Sequence, residues 1–382
     1  MKNVHLFAGT KKGGLVLSSD LQRKKWTTSD LHFKGWKVMD MRLDPRDGRL
    51  HAAVDHTVFG PSTHYSDDLG GHWTQADLPP EFSQPSTSGR PIGTSQEARD
   101  PEAKSEQPEE VVSVWKIQPG RAHDPDTLYA GIEPAALFVS RDRGRTWEIN
   151  QGLYNHPHRP QWYPSKGGLA LHSILPHPTD PNRMWVAIST GGCYYTEDGG
   201  QSWEPRNKNV RADFHPEKYP EFGQCAHKIT HHPQAPERLY QQNHCGMYRS
   251  DDGGKAWIDI GEGTLPSRFG FPILVHPHDP DTIYVIPEEG DQFRYSANME
   301  FVIWRSRDQG KSWQALKNGL PEQAYLVVLR EAMAADDCPR AGIYAGTKTG
   351  EIFYSLDDGE SWDLLADYLP PIYSLDAVMV EG

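Results

Sequence analysis

Two histidines occupy the same place in successive stretches of this chain: His172 in Leu171-His172-Ser173-Ile174-Leu175 and His227 in Ala226-His227-Lys228-Ile229-Thr230. A third, His244, lies in Gln241-Gln242-Asn243-His244-Cys245-Gly246, and Glu133 ends Gly131-Ile132-Glu133. Imidazole, carboxylate and amide oxygen suit zinc, manganese or iron, so His172, His227 and His244 are candidate metal ligands, helped by Gln224 or Glu133. Without a metal, His172, His227, His244 and Glu133 could act as catalytic acid and base, or hold an anionic ligand beside Arg159 and Arg211. A third reading is structural, with channel histidines satisfied by backbone and buried water. Nearby, Asn243 offers an amide, while Trp36 and Trp162 offer rings on which a sugar could stack. Glu133, Asp213, Glu288 and Glu289 could supply the two carboxylates of glycoside hydrolysis, which stand about 5–9.5 Å apart. Asp291 adds a further carboxylate to the same stretch.

What must position these groups is a repeat. Six stretches fit S/T-x-D-x-G-x-x-W, beginning at Ser66, Ser140, Thr196, Ser250, Ser306 and Ser355. A seventh, from Ser18, keeps Asp and Trp but lacks Gly and has one extra residue. The closing tryptophans, Trp26, Trp73, Trp147, Trp203, Trp257, Trp313 and Trp362, recur at intervals of 47 to 74 residues. In such a turn Asp accepts backbone N–H bonds, Gly takes a positive φ and Trp packs between units. Recurrence makes Asp68, Asp142, Asp198, Asp252, Asp308 and Asp357 structural carboxylates.

Before each acidic turn come three further β runs, the first two joined by a Pro-, His- and Asp-rich turn, as in His276-Pro277-His278-Asp279-Pro280. The first runs are read as VSVWKI, LHSIL, AHKIT, FPILV and YLVVL. Four strands, here A to D, thus form a unit of about 50 residues, and seven such units make a β-propeller. The chain opens on a B-type strand, VHLFAGT, and finishes on an A-type strand, SLDAVMV, which would complete the first blade. One all-β seven-bladed propeller over residues 1–382 is the expectation. Residues 79–110, Pro-, Ser- and Glu-rich, form a solvated loop insertion that could serve as a lid. The A–B and C–D turns share one face; the variable D–A and B–C loops, which carry the candidate residues, share the other.

These turns resemble the Asp-box, or BNR, repeats of sialidases, sortilin-type receptors, xyloglucanases and photosystem assembly factors, and of bacterial proteins labelled sialidase-like or glycosyl-hydrolase-like. The resemblance implies a propeller carrying a small-molecule or carbohydrate site, with hydrolase or lyase chemistry. Its alternative is a non-catalytic scaffold for protein partners. True sialidases have six blades and an Arg-Ile-Pro-type motif. Here there are seven blades, and Gly89-Arg90-Pro91-Ile92 has the wrong order, which argues against sialidase activity.

Composition narrows the partners. A net charge of −13 disfavours nucleic acid and anionic membranes. No apolar run approaches the roughly 18 residues of a membrane span. The start lacks a signal-peptide pattern, so a cytoplasmic location is expected. Four cysteines without C-x-x-C spacing read as free thiols.

Overall fold

The computed structural model describes residues 2–83, 109–164 and 167–381, arranged as seven four-stranded antiparallel sheets. Blade one pairs Ile372–Glu381 with Lys2–Thr10, followed by Gly13–Asp20 and Thr27–Thr28. Blades two to seven begin with the innermost strands Lys37–Leu43, Ser113–Pro119, Leu171–Pro176, Ala226–His232, Gly270–His276 and Met333–Ala335. Each then runs outward in chain order. The expected closure is present, with Leu6 opposite Ala377 and Lys2 opposite Glu381. In the last blade the observed inner strand is Met333–Ala335, not the expected Tyr325–Leu329 run. That run satisfies its apolar side chains without a ladder: Val328 is buried, and Leu326 and Leu329 pack on the same core. Of the Pro/Ser/Glu-rich stretch, residues 84–108 lie outside the described residues, as does the Gly89–Ile92 motif; its two ends are anchored. Phe82 packs on Phe138 and Tyr154, and Glu109 pairs with Arg159 at 2.5 Å.

The acidic turns are built by local hydrogen bonds. In blade five Ser250 Oγ donates to Asp252 Oδ1 at 2.7 Å and accepts from Gly254 N at 2.9 Å. Asp252 Oδ1 in turn accepts from Ala256 N at 3.0 Å, and Gly254 has φ +85°. The same pattern holds around Asp68, Asp142, Asp198, Asp308 and Asp357. Each such carboxylate is held below the usual range; at Asp198 the Ser202 hydroxyl and amide lower it to about 2. Several of the tryptophans bridge blades: Trp203 Nε1 donates to Asn150 Oδ1, Trp257 Nε1 to Arg206 O, and Trp313 Nε1 to Ile260 O, whereas Trp26 Nε1 donates within its own turn to Arg23 O. In the degenerate first turn Arg23 takes the positive φ, +54°. Its guanidinium makes a buried ion pair with Asp336 at 2.8 Å, tying blade one to blade seven.

The inner strands share an irregularity that matters for the site. Their pairing with the next strand slips between Val38 and Asp40, Val114 and Lys116, Leu171 and Ser173, Ala226 and Lys228, and Gly270 and Ile273. A bulge leaves an extra residue unpaired and re-aims its side chain. Those extra residues are Met39, Trp115, His172, His227 and the Phe271-Pro272 pair.

Candidate functional site

His172 and His227 are therefore equivalent bulge residues of blades four and five, as the repeat implies. Their surroundings differ. His172 Nε2 donates to Ala226 O at 2.9 Å, and Nδ1 can accept from Ser173 Oγ at 3.3 Å. Both nitrogens are engaged, and burial pushes the imidazole down to about 3. His172 thus ties blade four to blade five and has no lone pair to offer a metal. His227 Nδ1 donates to Gly270 O at 2.6 Å, which fixes the tautomer and leaves Nε2 as the lone-pair atom. Its ring stacks on Phe271 at 4.6 Å, and burial lowers its pKa well below the ordinary value.

His244 reaches the same place from the B–C loop. His244 N donates to Cys225 O at 2.9 Å, folding the loop back onto the start of the inner strand. Asn243 Oδ1 accepts from Cys245 N at 3.1 Å, and Asn243 Nδ2 donates to Gln241 Oε1, so this amide shapes the loop. The His244 ring lies 5.7 Å from that of His227, and its Nε2 lies 3.6 Å from Asp291 Oδ2. Cys225, His227 and His244 each present a donor atom within 4.8 Å of the others. Cys225, not His172, is the third member of the group.

Beside it opens a pocket of about 440 Å³ between blades five and six, on the face of the D–A and B–C loops. Asp213 and Phe214, His244 and Cys245, Ser267 to Phe269, and Gly290 and Asp291 line it. Arg211 pairs with Asp213 at 2.8 Å, holding that wall. Arg294 lies over both Phe269 and Phe271, 4.8 Å from each ring centre. Glu288 N donates to Phe269 O at 2.8 Å, but both its carboxyl oxygens are buried without a hydrogen-bond partner among the described residues. Burial raises its pKa to about 8, against the opposing pull of Arg294, Lys348 and Arg330.

Glu133 belongs to another group, at the channel. Its Oε2 accepts from Trp115 Nε1 at 3.0 Å, and burial raises its pKa. The Arg330 guanidinium lies 5.5 Å from the Trp115 ring centre and 5.0 Å from that of Phe271, spanning blades three and six. Deeper, Glu331 gathers Lys116 at 2.8 Å, Lys228 at 3.5 Å and Arg42 at 3.8 Å; these cations hold it far below the usual carboxylate range against the cost of burial.

Other expected ligand groups have structural partners. Arg159 is buried, paired with Glu109 and stacked 4.2 Å from the Tyr154 ring. Trp162 is fully buried and donates to Tyr194 Oη at 3.0 Å, so neither ring face is open to a sugar. Trp36 packs on His56 and Phe33. Gln224 is buried and its Nε2 donates to Pro220 O at 2.5 Å, while its Oε1 has no hydrogen-bond partner among the described residues. Sequence reasoning missed Cys225, Ser267–Phe269, Arg294 and the Arg330-Glu331 pair. The Ser-Arg-Phe of the D–A loop before blade six was the available signal, since it carries polar and aromatic groups on the variable face.

The BNR/Asp-box repeat model matches residues 194–205, the acidic turn of blade four. Over 170 residues the chain is 28% identical to the oligoxyloglucan-reducing end-specific xyloglucanase of Emericella nidulans, covering 38% of this chain and 21% of that enzyme. Against xyloglucanase Xgh74A of Acetivibrio thermocellus it is 23% identical over 233 residues, covering 51% of this chain and 25% of the enzyme. The chain thus matches about a fifth to a quarter of the length of these curated relatives. The crystal structure of the GH74 xyloglucanase from Xanthomonas campestris superposes with a TM-score of 0.55 at 16% identity, over 96% of this chain and 59% of that one. Sheet topology, acidic turns and these likenesses agree: the chain folds as a seven-bladed β-propeller, and its blade-four turn matches the Asp-box (BNR) repeat.

Proposed function

We propose that the pocket between blades five and six binds a carbohydrate and supports glycoside hydrolysis. The observation that carries this reading is its lining: the half-exposed Phe214 ring beside the carboxylates of Asp213 and Asp291 and the guanidinium of Arg268. Aromatic faces pack on the C–H face of a pyranose, while carboxylates and guanidinium hydrogen-bond its hydroxyls. Hydrolysis needs one carboxyl group that holds a proton and one that does not. Glu288, buried and joined through its backbone amide to Phe269 O, has its pKa raised to about 8 and keeps its proton at neutral pH. Asp213 and Asp291, on loops from different blades, are the candidate partners. The likeness to xyloglucanases points to a β-glucan-type oligosaccharide.

Isothermal titration with xyloglucan and cello-oligosaccharides, alongside a reducing-end assay, tests this. Phe214→Ala is expected to weaken binding at least tenfold, and Asp291→Asn to remove turnover while binding persists. No heat with any oligosaccharide at millimolar concentration would overturn the reading.

A second reading, a scaffold for a protein partner, rests on an exposed cluster beside the pocket. Phe293, Met299 and Tyr325 are each about half exposed or more, and Tyr295 lies 5.4 Å from Tyr325. Phe293→Ala/Tyr325→Ala would leave sugar binding unchanged if the pocket is the functional surface.

A further inference from the structure

We propose that Cys225, His227 and His244 form a binding site for one divalent transition-metal ion of the zinc type, open on its fourth side to the pocket. This inference does not depend on the carbohydrate reading. Three features support it. The donor atoms lie within 4.8 Å of one another. Tetrahedral zinc with bonds of about 2.0–2.3 Å sets its ligand atoms roughly 3.3–3.7 Å apart, so closure takes about 1 Å of side-chain movement. Next, the imidazole of His227 is already oriented. Its Nδ1–H is committed to Gly270 O, the outer hydrogen bond that metal-bound histidines characteristically make, and Nε2 is left with its lone pair. Finally, a carboxylate offsets the Arg294 and Arg330 guanidiniums that act on these ligands. Asp291 Oδ2, 3.6 Å from His244 Nε2, supplies negative charge, and His244 itself reaches the pocket wall.

One thiolate with two imidazoles favours zinc, cobalt or copper over calcium or magnesium, which prefer all-oxygen shells. The thiol must ionise to bind. Binding therefore follows Cys–SH + M²⁺ → Cys–S–M⁺ + H⁺, with one proton released per ion. The open fourth position would take water or a hydroxyl oxygen of the pocket's ligand. His172, with both nitrogens engaged, stays outside the shell.

The test uses the full chain, stripped by chelator and titrated with Co²⁺, then Zn²⁺. The expected result is one equivalent bound, a sulfur-to-cobalt charge-transfer band, one proton released in weak buffer, and displacement of cobalt by zinc. Cys225→Ser should abolish the band, and His244→Ala should weaken binding about 100-fold. Cys245→Ser, one residue beyond His244, should keep both. His244 is half-buried in a loop, so its variant can be checked for a wild-type melting curve. No stoichiometric cobalt or zinc, a band that survives Cys225→Ser, or a band lost in Cys245→Ser would each overturn the assignment.

Discussion

Blade five carries two very different ends. At one, the Ser250–Trp257 turn repeats a chemistry found elsewhere in the ring, and its carboxylate is satisfied by the Ser250 hydroxyl and the Ala256 amide. At the other, Cys225, His227 and His244 converge beside a pocket, and the buried carboxyl oxygens of Glu288 have no hydrogen-bond partner among the described residues. The same strands connect both ends, so the scaffold does not distinguish them. Satisfaction does. At the turn the carboxylate has its partners and holds the fold; the Glu288 carboxyl is left unpaired among the described residues, a concession of stability that functional sites commonly require.

The largest effect should come from breaking the structural end. Trp257 is buried and its indole donates to Arg206 O across the blade boundary. Trp257→Ala should cost about 3–5 kcal/mol by urea unfolding; a loss under about 1 would mean the turn tryptophans do not bind blade to blade.

Glu288 tests the other end. Its pKa in the folded protein, about 8, is raised above the ordinary value, so its contribution to stability is full at acid pH and is lost as pH rises toward 8. Wild type should lose about 3 kcal/mol from this group between pH 5 and 8. Glu288→Gln should flatten that slope. An unchanged slope in the variant would show that the carboxyl ionises freely.

Ser250→Ala removes the hydroxyl that serves both Asp252 and Gly254, and should cost about 1–2 kcal/mol in thermal or urea unfolding while leaving sugar and metal binding untouched. A change in either ligand's affinity would mean that the two ends are coupled.

Asp198→Asn should give the smallest shift. The folded pKa, about 2, lies below the ordinary value, so the stability it contributes is present above about pH 4 and lost as pH falls toward 2. Acid titration of the melting temperature should show a shallower decline in the variant within that window alone.

The same contrast explains what could be read in the sequence. The acidic turns were legible because their hydrogen bonds join residues two to four apart, and so recur at fixed spacing. Closure of blade one was legible because an unpartnered B-type strand needs an A-type one. The equivalence of His172 and His227 also followed from the repeat, but their roles did not. Those depend on Ala226 O and Gly270 O in the neighbouring inner strands, which no spacing reveals. Cys225 became a partner of His244 only because the B–C loop folds back by one backbone bond. Arg159 and Trp162, read as ligand groups for their chemistry, are held by Glu109 and Tyr194, 50 and 32 residues distant in the chain.

The pairing of Lys2–Thr10 with Ile372–Glu381 also sets a timetable for synthesis. Of the strands described, Lys2–Thr10 leaves the ribosome before the others and must wait for Ile372–Glu381. At about 5–20 residues per second, ribosomal elongation from Thr10 to Ile372 takes roughly 20–70 s. Throughout that interval one flank of Lys2–Thr10 can pair with Gly13–Asp20 while the other remains bare, and a bare flank recruits foreign strands. The nascent chain's exposure to aggregation is thus governed by translation speed: slower elongation lengthens the time during which another chain can take the place reserved for Ile372–Glu381.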